Sequence, residues 1–412
     1  MEIRNSGDFG YCRWADEGSA VNIRNETPLQ FFQTHMATVR NSMLQGKPAA
    51  NCQRCQDMEQ HHKVSGRQRQ LLKTGVTVDN FDKSLRSSTY WSAFAQSNLT
   101  NGTTDQVPVD WQINLGNYCN SACVFCSPDY SSRLAQEFKR LKITSTDPGT
   151  NWALDLDLLD QFVASLSNID QLAYLHFIGG ETLITPAFKV ILEQLIAAGI
   201  NHRTRIGFTT NLTVWDNDTV ALLKQFDQVH LGMSIECLHS INDYVRWPSE
   251  INSVKNVLAQ WIKVGHQHGW YLSLRTTPTA LTVAHLPELY DFATQQNIGI
   301  ESCNFLHNPS FLRMSVLPQS QRLAIADQMQ TWIDQQYITT SVQTINVRDP
   351  NQLHVQNMQD AASYVNYLRT APDETHLLPD LVQYLKLLES LRSNCVLDYA
   401  PEYEHIFRSA GY

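Results

Sequence analysis

The feature that most constrains this chain is an alternation of short apolar runs with amphipathic helical stretches, beginning at Val109. Runs suited to strands fall at Trp111–Leu115, Leu172–Ile178, Arg205–Thr210, Gln228–Ile235, Tyr271–Thr276 and Glu301–Leu306. Helical spacing lies between them, at Ala187–Ala198, Val220–Phe226, Ile251–His266 and Leu286–Gln295. Strand and helix in turn over this length predict a parallel sheet with right-handed crossovers. Six such units make a partial barrel, where a full one needs eight. The expected fold class is therefore α/β, a partial (β/α)6 TIM-like barrel over residues 101–318.

The flanks read differently. Residues 1–100 are polar, cysteine-bearing and mostly helical in pattern, with Pro28–Leu44 ended by Gly46 and Pro48. Asn98–Asp105 has the composition of a linker. Residues 319–412 form a helical extension, expected at Ser320–Gln335 and Leu378–Leu391 with an irregular stretch between. With 412 residues, two or three structural units are expected: residues 1–100, the barrel and the extension, which we expect to pack on the first unit.

No apolar run is long enough to span a bilayer, and Met1–Gly10 lacks a charged-then-apolar signal pattern, so a cytoplasmic protein is expected. A net charge of -9 disfavours nucleic-acid binding, which needs a dense basic surface. The nine cysteines are odd in number, which argues against a disulfide framework. Five of them fall into two tight groups, as metal ligands do in a reducing compartment.

The first group, Cys119, Cys123 and Cys126, directly follows the first strand. Three thiolates on one loop can hold three corners of a [4Fe–4S] cube, leaving one iron open to a cofactor or substrate. Active sites of βα barrels sit on such post-strand loops. A zinc site or three incidental thiols fit the bare spacing equally well.

The C-x3-C-x2-C loop resembles the signature of the radical S-adenosylmethionine (SAM) superfamily, and Phe125 matches the aromatic residue found before its third cysteine. Gly179-Gly180-Glu181 after the second strand resembles the GGE motif that contacts the SAM amino group. Thr209 and Asn211 end the third strand and Ser234 and Glu236 the fourth, where the superfamily places further SAM contacts. Asn242-x-Tyr244-x-Arg246 resembles a stretch of its SPASM and twitch-type members, and Arg246 is expected to pair with the SAM carboxylate. The resemblance implies an enzyme in which reduced [4Fe–4S] iron cleaves SAM to a 5′-deoxyadenosyl radical that abstracts hydrogen from a substrate.

The second group, Cys52 and Cys55 with Glu59, Ser65 and Arg67, resembles the cysteine-bearing stretch of twitch modules, and Tyr11-Cys12-Arg-Trp14 resembles their opening cysteine. The resemblance implies an auxiliary iron–sulfur cluster on Cys12, Cys52 and Cys55, with Cys395 a candidate fourth ligand. It departs from the family in two ways: these cysteines precede the barrel, and the cysteines usually found after the first are absent. A zinc knuckle using His61 or His62 is the alternative. Cys237 and Cys303 at strand ends read either as small core residues or as thiol hydrogen-atom donors. His266 and His268 read as surface residues.

Twitch and SPASM-type members mostly modify peptides, which implies a maturase of a ribosomally made peptide, splicease-type excision ahead of epimerisation. A flavodoxin- or ferredoxin-type reductant and a small leader-peptide-binding protein are the expected partners, with no nucleic acid and no membrane. Action on a small metabolite or sugar, and a non-catalytic iron–sulfur electron carrier, are the alternatives.

Overall fold

The structure is a computed structural model and describes residues 1–12, 15, 19–47, 52–60, 65, 67–68, 100–105, 107–143, 151–167, 172–301, 305–339 and 350–412. Trp14, His61, His62 and Cys303 lie outside these. The chain divides into two compact units. One comprises residues 1–118, 147–208 and 216–229; the other comprises 119–146, 209–215 and 230–412.

In the first unit, β1 (Glu2–Ile3), β2 (Phe9–Gly10), β3 (Asp110–Asn114), β4 (Tyr174–Ile178) and β5 (Arg205–Thr210) lie in the order β2-β1-β3-β4-β5. Only β1 and β2 are antiparallel; β1 runs parallel to β3 with Glu2 opposite Gln112, and Ile113 faces Phe177 across β3 and β4. Parallel strands are covered on both faces and so read as near-continuous apolar runs. Residues 1–10 carry no helix although the flank reads as helical. Strands this short show no periodicity, and the Ser6–Asp8 and Asn22–Asp8 hydrogen bonds that shape their turn link residues up to 14 apart.

Helix α1 (Pro28–Gln33) starts on a capping box, with Thr27 Oγ1 accepting from the Gln30 amide and Gln30 reaching back to the Thr27 amide. The expected Pro28–Leu44 helix is broken at Thr34, beyond which α2 (His35–Leu44) continues. Helix α3 (Gln53–Gln60) carries Cys55.

In the second unit, α4 (Ser132–Leu141) follows the cysteine loop and is capped by Ser131 Oγ, which accepts from the Leu134 amide. The first unit contributes α5 (Leu156–Ser167), α6 (Pro186–Ala197) and α7 (Asn217–Leu223) between its strands. The second continues with β6 (Val229–Ser234), α8 (Ile241–Val245), α9 (Ile251–Gln267), β7 (Tyr271–Arg275), α10 (Leu286–Gln295) and β8 (Gly299–Ile300), with β6, β7 and β8 parallel. Val254, Leu258, Trp261, Ile262 and Gly265 form the buried stripe of α9, the period expected of a helix on a sheet.

The sixth barrel strand includes Gly299–Ile300, ahead of the expected Glu301–Leu306 run, and the Glu301 amide donates to the Leu274 carbonyl; residues 302–304 of that run lie outside the described residues. The strand's edge is covered by α12 (Pro350–Thr370), which pairs with α11 (Gln319–Thr339). Asn357 on α12 is fully buried, and its Oδ1 accepts from the Ile300 amide at 3.0 Å, satisfying a strand edge that would otherwise be unpaired. Helix α13 (Leu378–Arg392) buries Leu381, Leu385 and Leu388. α14 (Val396–Tyr399) follows. Among the described residues, no helix is long and apolar enough to cross a membrane.

Candidate functional site

The loop of Cys119, Cys123 and Cys126 is fixed largely through its backbone, with the Ser121 amide donating to Cys119 Sγ at 3.4 Å and Cys126 Sγ to the Ser127 carbonyl at 3.6 Å. The Ala122 amide donates to the Trp247 carbonyl at 2.5 Å and the Val124 amide to the Val245 carbonyl at 2.9 Å. Tyr384 of α13 donates to the Val124 carbonyl at 2.9 Å, and Arg392 donates to the Ala122 carbonyl at 2.7 Å. Ser131 donates to the Ser121 carbonyl at 2.6 Å. Asn211 Nδ2 donates to Asn120 Oδ1 and Ser121 Oγ at 2.8 and 2.9 Å. The loop thus contacts the end of α8, the start of α4, Asn211 and the C-terminal helix α13.

The three cysteines are thiols rather than disulfides; Cys123 is buried, and Cys119 and Cys126 are half-buried. Burial pushes the Cys126 thiol up, and the nearby Cys123 and Cys119 push it further, so the three sulfurs share one neighbourhood. Burial likewise pushes Cys123 up, against the pull of Arg246 and Arg392. The two guanidiniums would offset the charge of Cys123 as a metal-bound thiolate.

The donor set fits an iron–sulfur cluster: three thiols on one short loop would each hold a separate iron of a cubane and leave one iron open.

Arg246 is the cation beside the loop. Its guanidinium lies 5.4 Å from the Phe125 ring centroid, and Cys123 and Cys126 both act on it electrostatically. Sequence reasoning aimed it at a SAM carboxylate; the chain pairs it with Glu236. Arg246 Nε and Nη2 donate to Glu236 Oε1 at 3.1 and 2.5 Å. Glu236 Oε2 accepts from Thr276 Oγ1 and the Thr277 amide at 2.9 and 2.7 Å. Glu236 is fully buried, and both its oxygens are committed to the protein. Arg392 makes a second buried pair, with Nε and Nη2 on Glu137 Oε2 at 3.0 and 2.6 Å. Nothing in the sequence pattern joins residues 255 positions apart.

In the first unit, Gly179 and Gly180 lie on the backbone of Gly116–Tyr118, which leads into Cys119. The Gly180 amide donates to the Gly116 carbonyl at 2.8 Å and the Glu181 amide to the Tyr118 carbonyl at 2.9 Å. A Cβ on Gly180 would stand 2.2 Å from the Tyr118 carbonyl oxygen, so only glycine fits. Gly179 has φ 151, in the region open mainly to glycine. Glu181 is buried and caps the turn after it, its Oε1 accepting from the Leu183 amide at 3.1 Å. In the second unit, Thr209 and Ser234 end their strands half-buried.

Cys237 is fully buried, donates to the His239 carbonyl at 3.7 Å and has its thiol pushed up to about 12 by desolvation. Cys395 bonds the Tyr412 hydroxyl at 3.1 Å, and Tyr412 in turn donates to Glu389 at 2.8 Å.

In the first unit, Cys12 is exposed, Cys52 half-buried and Cys55 buried. The structure joins Glu59, Ser65 and Arg67: Arg67 Nε donates to Glu59 Oε1 at 2.7 Å, and Ser65 Oγ bonds the same oxygen. Arg67 holds the Glu59 carboxyl below its usual range and is itself acted on by Cys55 and Cys52.

A model of the radical SAM superfamily matches residues 113–293. Among solved structures, Streptococcus suis SuiB bound to S-adenosylmethionine is 15% identical, covering 56% of this chain and 45% of that chain at a TM-score of 0.34. SuiB bound to precursor peptide SuiA is 13% identical over 78% of this chain and 65% of that chain, at 0.39. Native anSMEcpe with bound AdoMet is 15% identical over 56% and 62%, at 0.42. The chain thus spans less than two thirds of the chain in each of these three structures. No curated protein matches the sequence. The matched segment, similar to the radical SAM superfamily, holds the three-thiol loop, the Gly-Gly-Glu turn and the Glu236–Arg246 pair.

Proposed function

We propose that this chain is a radical SAM enzyme that abstracts hydrogen from a ribosomally made peptide, with excision of a fragment favoured over epimerisation. The observation that carries it is the loop of three thiols, fixed through its backbone and flanked by Arg246 and Arg392. When bound, a [4Fe–4S] cluster supplies the electron that cleaves SAM to a 5′-deoxyadenosyl radical. Cys119, Cys123 and Cys126 hold the iron. Arg246 and Arg392 offset the thiolate charge, and Glu236 holds Arg246 in place through its forked contact. Asn211 acts by orienting the loop. Gly179, Gly180 and Glu181 supply the SAM amino-group contacts, and Thr209 and Ser234 further polar contacts.

Peptide action is supported by the superfamily match and by the resemblance to twitch-type members; SuiB, one of the similar structures, is described bound to a precursor peptide. Cys12, Cys52 and Cys55 are proposed to hold an auxiliary iron–sulfur cluster, supported by the convergence of Glu59, Ser65 and Arg67 on their segment. Cys395 is the candidate fourth ligand, and binding there would require its bond to Tyr412 to open. We place residues 1–100 as the auxiliary module, and the electron donor as a small flavodoxin- or ferredoxin-type protein of the cytoplasm.

Mass spectrometry of candidate precursor peptides after co-expression tests this. A lost fragment is the expected result. An unchanged mass with deuterium uptake from heavy water would replace excision by epimerisation, and unchanged peptides throughout would remove the peptide reading.

A further inference from the structure

We propose that His239, His285 and Glu288 form a binding site for a divalent first-row transition-metal ion, separate from the cysteine sites. The three come from different stretches of the second unit: His239 from the segment after β6, His285 from the 3-10 turn Val283–His285, and Glu288 from the first turn of α10. One ligand atom of each lies within 4.8 Å of the other two. The two imidazole rings are 4.7 Å apart, and His239 Nε2 bonds Glu288 Oε2.

Two imidazoles and one carboxylate suit zinc, iron(II) or cobalt(II), with coordination positions left for water or a further ligand. Such ligands on one ion stand about 3.3 Å apart at bond lengths of about 2.0–2.1 Å. Side-chain movement alone closes the remaining distance, because His239 and Glu288 are 47% and 52% exposed. The competing account is a surface ion pair between His239 and Glu288. It explains two of the three groups, but not why a second imidazole packs on the first. Bound metal would fasten the segment bearing Glu236 and Cys237 to the start of α10.

Separation from the cysteines matters for the test, since thiols also bind zinc. The full chain with its iron–sulfur content reconstituted is titrated with zinc and, in parallel, with cobalt. The comparison is the His239→Ala, Glu288→Gln double variant, which changes two exposed side chains. The wild type is expected to bind one more zinc equivalent than the variant at equal iron content. Its additional cobalt absorption is expected to lack a sulfur-to-cobalt charge-transfer band, and zinc is expected to raise the melting temperature of the wild type alone. Equal zinc stoichiometry and affinity in the two proteins would overturn the proposal, whatever the outcome for SAM cleavage.

Discussion

Replacing Arg392 by Met tests how the C-terminal helix holds the cysteine loop. The Arg392 side chain is 1% exposed and that of Glu137 10%. Two of its nitrogens share Glu137 Oε2 at 3.0 and 2.6 Å, and Nη2 also donates to the Ala122 carbonyl at 2.7 Å. Methionine fills comparable volume but leaves the Glu137 carboxylate buried without its partner. Breaking a buried pair from one side costs about 3–5 kcal/mol, whereas replacing both members by apolar residues is often nearly neutral. Arg392→Met is therefore expected to lose about 3–5 kcal/mol of unfolding free energy. Arg392→Met with Glu137→Leu is expected to lose less than the two single changes summed, by about 2 kcal/mol. Denaturant unfolding of the full chain, followed by circular dichroism, measures all four corners of this cycle. Iron retention, read on the same samples, is expected to fall with Arg392→Met, because the Ala122 carbonyl loses its anchor. A loss below about 1 kcal/mol for the single variant, or strict additivity in the cycle, would refute the reasoning.

Glu236→Gln keeps the shape but leaves the Arg246 guanidinium uncompensated, and is expected to destabilise by about 3 kcal/mol in the same unfolding assay. Gly180→Ala puts a methyl 2.2 Å from the Tyr118 carbonyl oxygen, so a lower melting temperature and at least tenfold weaker SAM binding are expected in thermal scans and equilibrium dialysis. Cys237 has a thiol raised to about 12 from an unfolded value of 9.0. The folded state therefore holds this proton more tightly, and the associated stability is intact below pH 9 and lost as pH rises toward 12. Cys237→Ala is expected to flatten that decline, read from unfolding free energies between pH 8 and 11.

Local pattern carried the fold where elements are long or buried. The run Arg205–Thr210 and the helix Leu286–Gln295 coincide with β5 and α10, because an unbroken apolar run and a clean helical period leave little choice. The α/β class follows from their alternation. What escaped depends on distant partners: β1 and β2 are two residues each and gain order from the sheet, and α12 is a long helix of weak amphipathicity that covers a strand edge through Asn357. The same division holds at the site. The cysteine spacing and the Gly-Gly-Glu turn are local and were legible. Arg246 was expected to pair with an anion, but its partner Glu236 was not legible, since a cation ten residues from a carboxylate does not disclose which anion it serves. Arg392, Tyr384 and the His239, His285 and Glu288 group come together only through tertiary folding.

The most direct measurement is 5′-deoxyadenosine formation when the anaerobically reconstituted chain is incubated with SAM and dithionite. The account predicts its formation by the wild type and none by the Cys119→Ala, Cys123→Ala, Cys126→Ala variant. Wild-type product no greater than that of the variant, at full iron loading, would contradict it.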